Sequence, residues 1–196
     1  LESGAVANPD ENRRVGHYWL RAPELAPDPE TARAVTEGAA AARQFAEDVL
    51  AGRVTAPDGS RFTDVLCVGI GGSALGPQLL FDALGDTPGS PGLPLHFIDN
   101  TDPAGIDRTL ARLSNRFGSL LVVVTSKSGG TPETRNGMLE VANVLEAAGE
   151  ALAGHAVAIT GADSQLDRQA EADGWLARFP MYDWVGGRTS LFSVVG

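Results

Sequence analysis

The sequence predicts an α/β fold with a parallel sheet. Short apolar runs alternate with segments of helical periodicity along most of the chain, a pattern typical of βαβ units. Two glycine-rich segments, at residues 69–76 and 126–131, each follow an apolar run directly. Parallel sheets bind ligands beyond the carboxyl ends of their strands, so both segments are placed where a ligand is expected. The 196 residues, 43% of them apolar, suffice for one such domain with an appendage.

An arm and a helix are predicted before the sheet. Residues 1–28 show weak periodicity and several prolines, and they indicate a surface arm pinned to the core by an aromatic such as Trp19. Asp28 is a good N-cap and Pro29 suits a first helical position. Apolar residues then recur at helical spacing until Gly52. We therefore divide the chain into an arm and helix (1–58) and a domain (59–196).

The remaining elements follow from apolar runs, caps and breakers. Strands are predicted at 64–69, 95–99, 120–125, 155–160 and 178–181. Helices are predicted at 77–84, 102–113, 132–148 and 164–172. Loops are predicted at 85–94 and 182–189, and another helix is expected to begin after the second of these.

Composition narrows the class of function. The net charge of −10 and the pI of about 4.7 argue against nucleic-acid binding, although a local pocket can still attract an anion. No apolar stretch is long enough to span a membrane. The single cysteine, Cys67, lies in an apolar run and suits a reducing, cytoplasmic setting. Because the first residue is Leu1 rather than Met, we expect a fragment or a processed chain.

The segment GIGGSALG, residues 69–76, allows three interpretations. Gly69, Gly71 and Ala74 satisfy the dinucleotide-binding pattern, and Asp99 ends the next strand, where a ribose-binding acid is expected. Alternatively, the loop lets a sugar phosphate approach the backbone, with Ser73 offering a hydroxyl. The third interpretation is a tight turn without a ligand.

The segment SKSGGTPET, residues 126–134, has the chemistry of an anion pocket. Ser126, Ser128 and Thr131 supply hydroxyls, and the two glycines can adopt positive φ. Pro132 begins a helix whose N-terminus would then face the anion. Lys127 adds a charge or points to solvent. The spacing is not that of a Walker loop, and the alternative is a Ser/Gly-rich helix cap.

Other polar residues carry weaker indications. Arg188 follows two glycines in VGGRTS, residues 185–190, where a guanidinium would stabilise an oxyanion, hold a phosphate, or lie on the surface. Asp102 is expected to cap a helix. His96 and His155 begin strands, far from the ligand edge, so structural roles are expected. Neither a metal-ligand spacing nor a Ser/His/Asp set is present in the sequence.

Taken together, three motifs in this order resemble the glucose-6-phosphate isomerase family: GIGGSALGP (69–77), SKSGGTPET (126–134) and GGRTS (186–190). FIDNTDP (97–103) resembles its bacterial form. The resemblance implies that residues 60–196 form a sugar-isomerase (SIS) domain. The fold is then a three-layer sandwich with a five-stranded sheet in flavodoxin-like order.

The resemblance also implies roles for individual residues. Ser126, Lys127 through its backbone, Ser128 and Thr131 match the family's phosphate-binding loop, and Gly71, Gly72 and Ser73 match the loop that lines the sugar-phosphate site. Arg188 matches the arginine that steadies the enediolate intermediate. The family interconverts glucose 6-phosphate and fructose 6-phosphate without cofactor or metal, and a homodimer is expected.

The catalytic glutamate, histidine and ring-opening lysine of the family lie downstream of GGR, beyond Gly196. We therefore expect an N-terminal fragment that binds sugar phosphates weakly and does not isomerise them. Two alternatives remain open on the residues alone. The first is a non-enzymatic sugar-phosphate-sensing module, because sugar-isomerase domains also occur in regulators. The second is a nicotinamide-dependent dehydrogenase built on the first glycine-rich loop.

Overall fold

A computed structural model describes residues 3–10, 12–85 and 92–196. The arm begins with a small antiparallel hairpin of β1 (Val6–Asn8) and β2 (Arg13–Arg14). Two 3-10 helices follow it, at His17–Leu20 and Pro23–Leu25. The arm is anchored by Trp19, which is fully buried and packs edge-to-face on Trp184.

Helix α1 (Pro29–Ala51) begins and ends where its caps predict. The Asp28 carboxylate accepts a hydrogen bond from the Thr31 amide at 2.7 Å, which satisfies one of the free donors of the first turn. Gly52 ends the helix in the left-handed conformation, with φ +73°.

A parallel sheet forms the centre of the fold. Its order is β4-β3-β5-β6-β7, which is the flavodoxin-like order, and all neighbouring strands are parallel. The prediction of a five-stranded parallel α/β fold is therefore confirmed. The strands are β3 (Asp64–Val68), β4 (Leu95–Ile98), β5 (Leu120–Ser126), β6 (Ala156–Thr160) and β7 (Ala177–Pro180).

Helices cover both faces of this sheet. Side chains of α3, α4 and α5 share one apolar cluster with alternate residues of the central strands, such as Val122 and Val124 of β5. The intervening residues, such as Leu121 and Val123, pack in a second cluster with α1. The helices between strands are α2 (Gly72–Leu84), α3 (Pro103–Leu113), α4 (Pro132–Ala147) and α5 (Gln165–Asp173).

Helix α2 begins five residues earlier than predicted, at Gly72 instead of Pro77. Its first turn packs on the 3-10 helix Gly187–Phe192, where a Cβ on Gly76 would be 2.6 Å from the Leu191 Cβ atom. This tertiary contact outweighs the low helix propensity of the glycines and the missing amide of Pro77. The same 3-10 helix replaces the helix that was expected to begin after residue 189. The predicted loop at 85–94 lies largely outside the described residues.

Both strand-start histidines have the structural roles expected of them. His96 Nε2 lies 2.9 Å from an oxygen of Asp64, a carboxylate only 1% exposed. His155 is fully buried, and its ring nitrogens lie 2.9 Å from the Leu120 carbonyl and 3.2 Å from the Glu150 carboxylate. All of these contacts are at the amino ends of the strands, the edge opposite the glycine-rich loops. No described helix is both long and apolar enough to cross a membrane.

Candidate active site

A recess of about 800 Å³ lies at the carboxyl edge of the sheet. Its walls come from the segments that follow β3, β5, β6 and β7, which is the position expected for a ligand in a parallel sheet. Six predicted site residues line it together: Gly72, Ser73, Ser126, Lys127, Ser128 and Thr131. Residues separated by more than 50 positions in the sequence therefore share one cavity.

The loop after β5 is held by its own hydroxyls. The Ser126 hydroxyl accepts a hydrogen bond from the Gly129 amide at 3.2 Å and donates one to Thr131 Oγ1 at 3.3 Å. The Ser128 hydroxyl accepts one from the Gly130 amide at 3.1 Å. Of the two glycines, only Gly129 has positive φ, at +69°, and a Cβ there would be 2.3 Å from the Leu166 amide nitrogen. These hydrogen bonds fix the backbone of the loop and hold its three hydroxyls close together.

Among the described helices, three begin at the recess, and two of these, α2 and α4, lack a side-chain N-cap, whereas α5 has one. Helices α1, α3 and α5 begin with a side chain that accepts an amide hydrogen bond, from Asp28, Asp102 and Ser164. In the described structure, the N-cap residues of α2 and α4, Gly71 and Thr131, make no such side-chain bond. Thr131 instead contacts Ser126 in the recess. An anion can take the place of the absent cap, because helix N-termini carry partial positive charge and amide donors.

Lys127 joins the phosphate-loop candidate to the turn before Arg188. Its ammonium donates hydrogen bonds to the carbonyls of Val185 at 2.6 Å and Asp183 at 3.3 Å. The Lys127 carbonyl in turn accepts one from the Gly161 amide at 3.0 Å. The side chain therefore does not simply point to solvent; it positions residues 183–185 beside the loop.

The first glycine-rich loop contacts the 3-10 helix Gly187–Phe192 through its backbone. The Ser190 hydroxyl donates a hydrogen bond to the Gly72 carbonyl at 2.8 Å. Gly71 does not line the recess; its φ of +56° makes the bend into α2, a conformation that glycine adopts readily. Ser73 and Gly72 provide the wall on this side.

Arg188 lies in a smaller adjoining recess of about 280 Å³ rather than among the hydroxyls. The two recesses are continuous, because both are lined by Lys127, Asp183 and Gly187. The Arg188 side chain is exposed. The geometry separates an end rich in hydroxyls from an end that carries a guanidinium.

Several residues of the recess were missed in the sequence. Thr134 is buried and lines the cavity from the first turn of α4, and Ser164 lines it from the start of α5. Thr134 is the last residue of the SKSGGTPET motif, and its position in the first turn of the predicted helix could have identified it as a lining residue. Arg13 comes from the arm, which the sequence pattern assigned to the surface. Tyr182 also lines the recess, and burial raises the pKa of its phenol.

The structure does not favour dinucleotide binding at the first loop. Asp99, the candidate ribose acid, accepts hydrogen bonds from Gln78 Nε2 at 2.8 Å and from Asn100 Nδ2 at 2.7 Å. Asp99 borders a different recess, beside α3. The recess that suits a phosphate and Asp99, the acid that dinucleotide binding requires, therefore lie in different places.

The chain is similar to known proteins over its whole length. The family model described as phosphoglucose isomerase matches residues 1–196. The glucose-6-phosphate isomerase of Synechococcus elongatus is 60% identical over the whole chain, and that of Nostoc punctiforme is 58% identical. The chain spans about 37% of the length of each of these relatives.

A solved structure shows the same fold. The glucose-6-phosphate isomerase of Chlamydia trachomatis superposes with a TM-score of 0.82 at 29% identity, covering 100% of this chain and 37% of that one. These findings support the isomerase interpretation and do not support the sensing module or the dehydrogenase. By its match over the full 196 residues, the chain belongs to the phosphoglucose isomerase family.

Proposed function

We propose that this chain is the N-terminal, sugar-phosphate-binding part of an enzyme that interconverts glucose 6-phosphate and fructose 6-phosphate. The observation that carries the proposal is the meeting of three motifs at one recess: the Ser126–Thr131 hydroxyls, the Gly72–Ser73 wall and the turn before Arg188. Within the chain, residues 59–196 form the SIS domain, and residues 1–58 form the arm and first helix.

The hydroxyl-rich end of the site holds the phosphate ester. Ser128 and Thr131 offer short donors, and Ser126 orients Thr131 by donating to its Oγ1. The start of α4 lacks a side-chain cap, so a dianion gains several hydrogen bonds and a favourable helix dipole there. Holding the phosphate fixes the distance from it to C1 and C2 of the sugar. C1 and C2 are thereby held in one place, and the phosphate itself takes no part in the reaction.

Arg188 acts at the other end. Moving a proton between C1 and C2 generates an enediolate, whose negative charge a guanidinium stabilises as it develops. The base must lie within hydrogen-bonding reach of that proton. Asp183 is the acidic residue among the described residues that border both recesses, but its side chain is exposed and the contact it makes with Lys127 is through its backbone carbonyl, so we do not assign it as the base. We place the catalytic glutamate, the histidine and the ring-opening lysine in the remainder of the longer enzyme, and we propose a cytoplasmic homodimer that binds neither nucleic acid nor membrane.

Removing the hydroxyls tests the phosphate clamp. In the longer enzyme, Ser128→Ala and Thr131→Ala are each expected to weaken fructose 6-phosphate binding by about 1–3 kcal/mol, the contribution of a hydrogen bond to a charged group. Isothermal titration measures this, with Ser114→Ala as the control, because the Ser114 hydroxyl bonds only its own helix end, at Ala111. Unchanged affinity in both variants would mean that the loop is only a helix cap.

The chain on its own is predicted to bind without turning over. Purified residues 1–196 should show weak binding of fructose 6-phosphate and no isomerisation in a coupled assay with glucose-6-phosphate dehydrogenase. Substantial turnover by this chain would contradict the assignment of the base to the remainder of the enzyme.

A further inference from the structure

The arm forms part of the site. Hairpin residue Arg13 borders both recesses, the one with the hydroxyls and the one with Arg188. Of the arm residues that the structure describes, it is the one that borders the larger recess, and it is half-buried. The sequence predicted only a surface arm anchored by an aromatic residue, and such an arm does not require a charged side chain to line a cavity.

Strand alternation directs Arg13 into the site. Arg13 and Arg14 are neighbours on β2, and successive side chains of a strand point to opposite faces. Arg14 is directed to the start of α1, where its guanidinium lies 3.8 Å from the Asp28 carboxylate. Arg14 also borders the smaller recess, but of the two arginines only Arg13 reaches the larger recess with the hydroxyls.

The arm is fixed to the turn that Lys127 holds. The Gly16 amide donates a hydrogen bond to the Trp184 carbonyl at 3.1 Å. A Cβ on Gly16 would be 2.1 Å from the Trp19 ring and 2.9 Å from that of Trp184, so the arm approaches this turn as closely as a glycine permits. Trp184 lies between Asp183 and Val185, whose carbonyls accept the Lys127 bonds. The arm, the turn and the phosphate loop are therefore positioned by one another.

The charge of Arg13 suits an anionic ligand. The protein carries a net charge of −10, and among the described residues the charged ones that border the larger recess are Arg13, Lys127 and Asp183. The Lys127 ammonium donates to two backbone carbonyls, which fixes its position against the turn. A guanidinium in a partly enclosed recess attracts a phosphate dianion more strongly than one on an open surface.

We propose that Arg13 is a further substrate-binding residue, which contributes positive charge to the sugar-phosphate site from the arm. The inference rests on the proposed function of the recess. It assigns to the arm a role in binding the ground state of an anionic sugar phosphate, so loss of the side chain should raise Kd and KM more than it lowers kcat.

Three arginine variants of the longer enzyme test this. Arg13→Ala should weaken binding of fructose 6-phosphate and of inorganic phosphate by about 10- to 100-fold, the range for a charge-assisted hydrogen bond. Arg13→Lys should recover much of this loss because it keeps the charge. Arg33→Ala, on the exposed outer surface of α1, removes the same charge elsewhere and should bind as the wild type does. Titration calorimetry measures Kd, steady-state kinetics separates KM from kcat, and Tm reports folding.

The outcomes separate this inference from the proposed function. Wild-type binding of fructose 6-phosphate together with wild-type affinity in Arg13→Ala would overturn the role of Arg13 and leave the function standing. Equal losses in Arg13→Ala and Arg13→Lys, with Tm lowered in both, would also overturn it, because the side chain would then only dock the arm. If the wild-type enzyme bound no sugar phosphate, the proposed function would fail, and this inference with it.

Discussion

Gly72 lies so close to Gly187 that a Cβ atom on it would be 2.1 Å from the Gly187 carbonyl oxygen. Two of the three motifs thus meet through bare backbone, and the Ser190 hydroxyl reinforces the contact by donating to the Gly72 carbonyl. Glycine at residue 72 is required by this approach, since its neighbour is backbone and cannot move aside as a flexible side chain can.

Gly72→Ala is expected to separate the first loop from the turn before Arg188. Overpacking of this kind costs about 1–3 kcal/mol of the free energy of unfolding, and it should weaken fructose 6-phosphate binding as well. Urea unfolding measures the first effect. Gly118→Ala is the matched control, because its Cβ would meet only the movable end of the Glu150 side chain, at 3.3 Å. Equal stabilities for the two variants would show that the backbone contact is unimportant.

Asp64 should make stability depend on acid pH. Burial raises the pKa of this carboxyl, but hydrogen bonds from His96 and Thr63 and the charge of Arg116, 2.7 Å away, more than offset that effect and lower it. Because the pKa is lower in the folded state than in the unfolded state, the stabilisation is complete above an unfolded pKa of about 4 and is lost as the pH falls below it.

Asp64→Asn is accordingly expected to destabilise the fold at pH 7 by about 1–3 kcal/mol. The variant should also lose less stability than the wild type between pH 7 and pH 3. Urea unfolding at both pH values checks this, with Asp107→Asn on the exposed face of α3 as a control. The account of this cluster is wrong if the wild type and Asp64→Asn show the same pH dependence.

Cys67 should be unreactive while the protein is folded. Burial raises the pKa of its thiol to about 12, and the thiolate is the nucleophile in alkylation. Although the half-buried side chain borders a recess, its reaction with iodoacetamide at pH 8 is expected to be slower than in the urea-unfolded chain, where the thiol pKa is about 8.5. Mass spectrometry follows the single adduct. Similar rates in the two states would contradict the burial of this thiol.

Arg188→Ala is predicted to reduce turnover more than binding in the longer enzyme. The guanidinium is assigned to charge that develops in the reaction, so kcat should fall while KM changes little. Arg188→Lys should retain part of the rate. A rise in KM alone would identify Arg188 as a ground-state binder instead.

Elements with local signals could be predicted from the sequence almost to the residue. Helix α1 has Asp28 at its start and Gly52 at its end, and α3 has Asp102 before Pro103. Strand β5 is apolar on both faces because it lies at the centre of the sheet, where helices cover both sides. Each of these signals lies within or beside the segment that it predicts.

Features that depend on distant contacts could not be predicted in this way. The early start of α2 depends on packing against residues 187–192, more than 100 positions later. The entry of Arg13 into the site depends on a two-strand hairpin too short to show alternation. The separation of Arg188 from the hydroxyl loop depends on how Lys127 holds its turn. The motifs therefore predicted which segments line the candidate site, and the packing between those segments defines its walls.

The loop after β5 is proposed to hold the phosphate of a sugar phosphate. The most direct test is titration of the ¹⁵N-labelled chain with fructose 6-phosphate, followed by amide chemical shifts, with unphosphorylated fructose as the control. We expect the largest shifts at Gly129, Gly130, Glu133 and Thr134, a smaller change at Ser73, and none with fructose. Shifts confined to Asp99 and Asn100, or equal shifts with fructose, would contradict it.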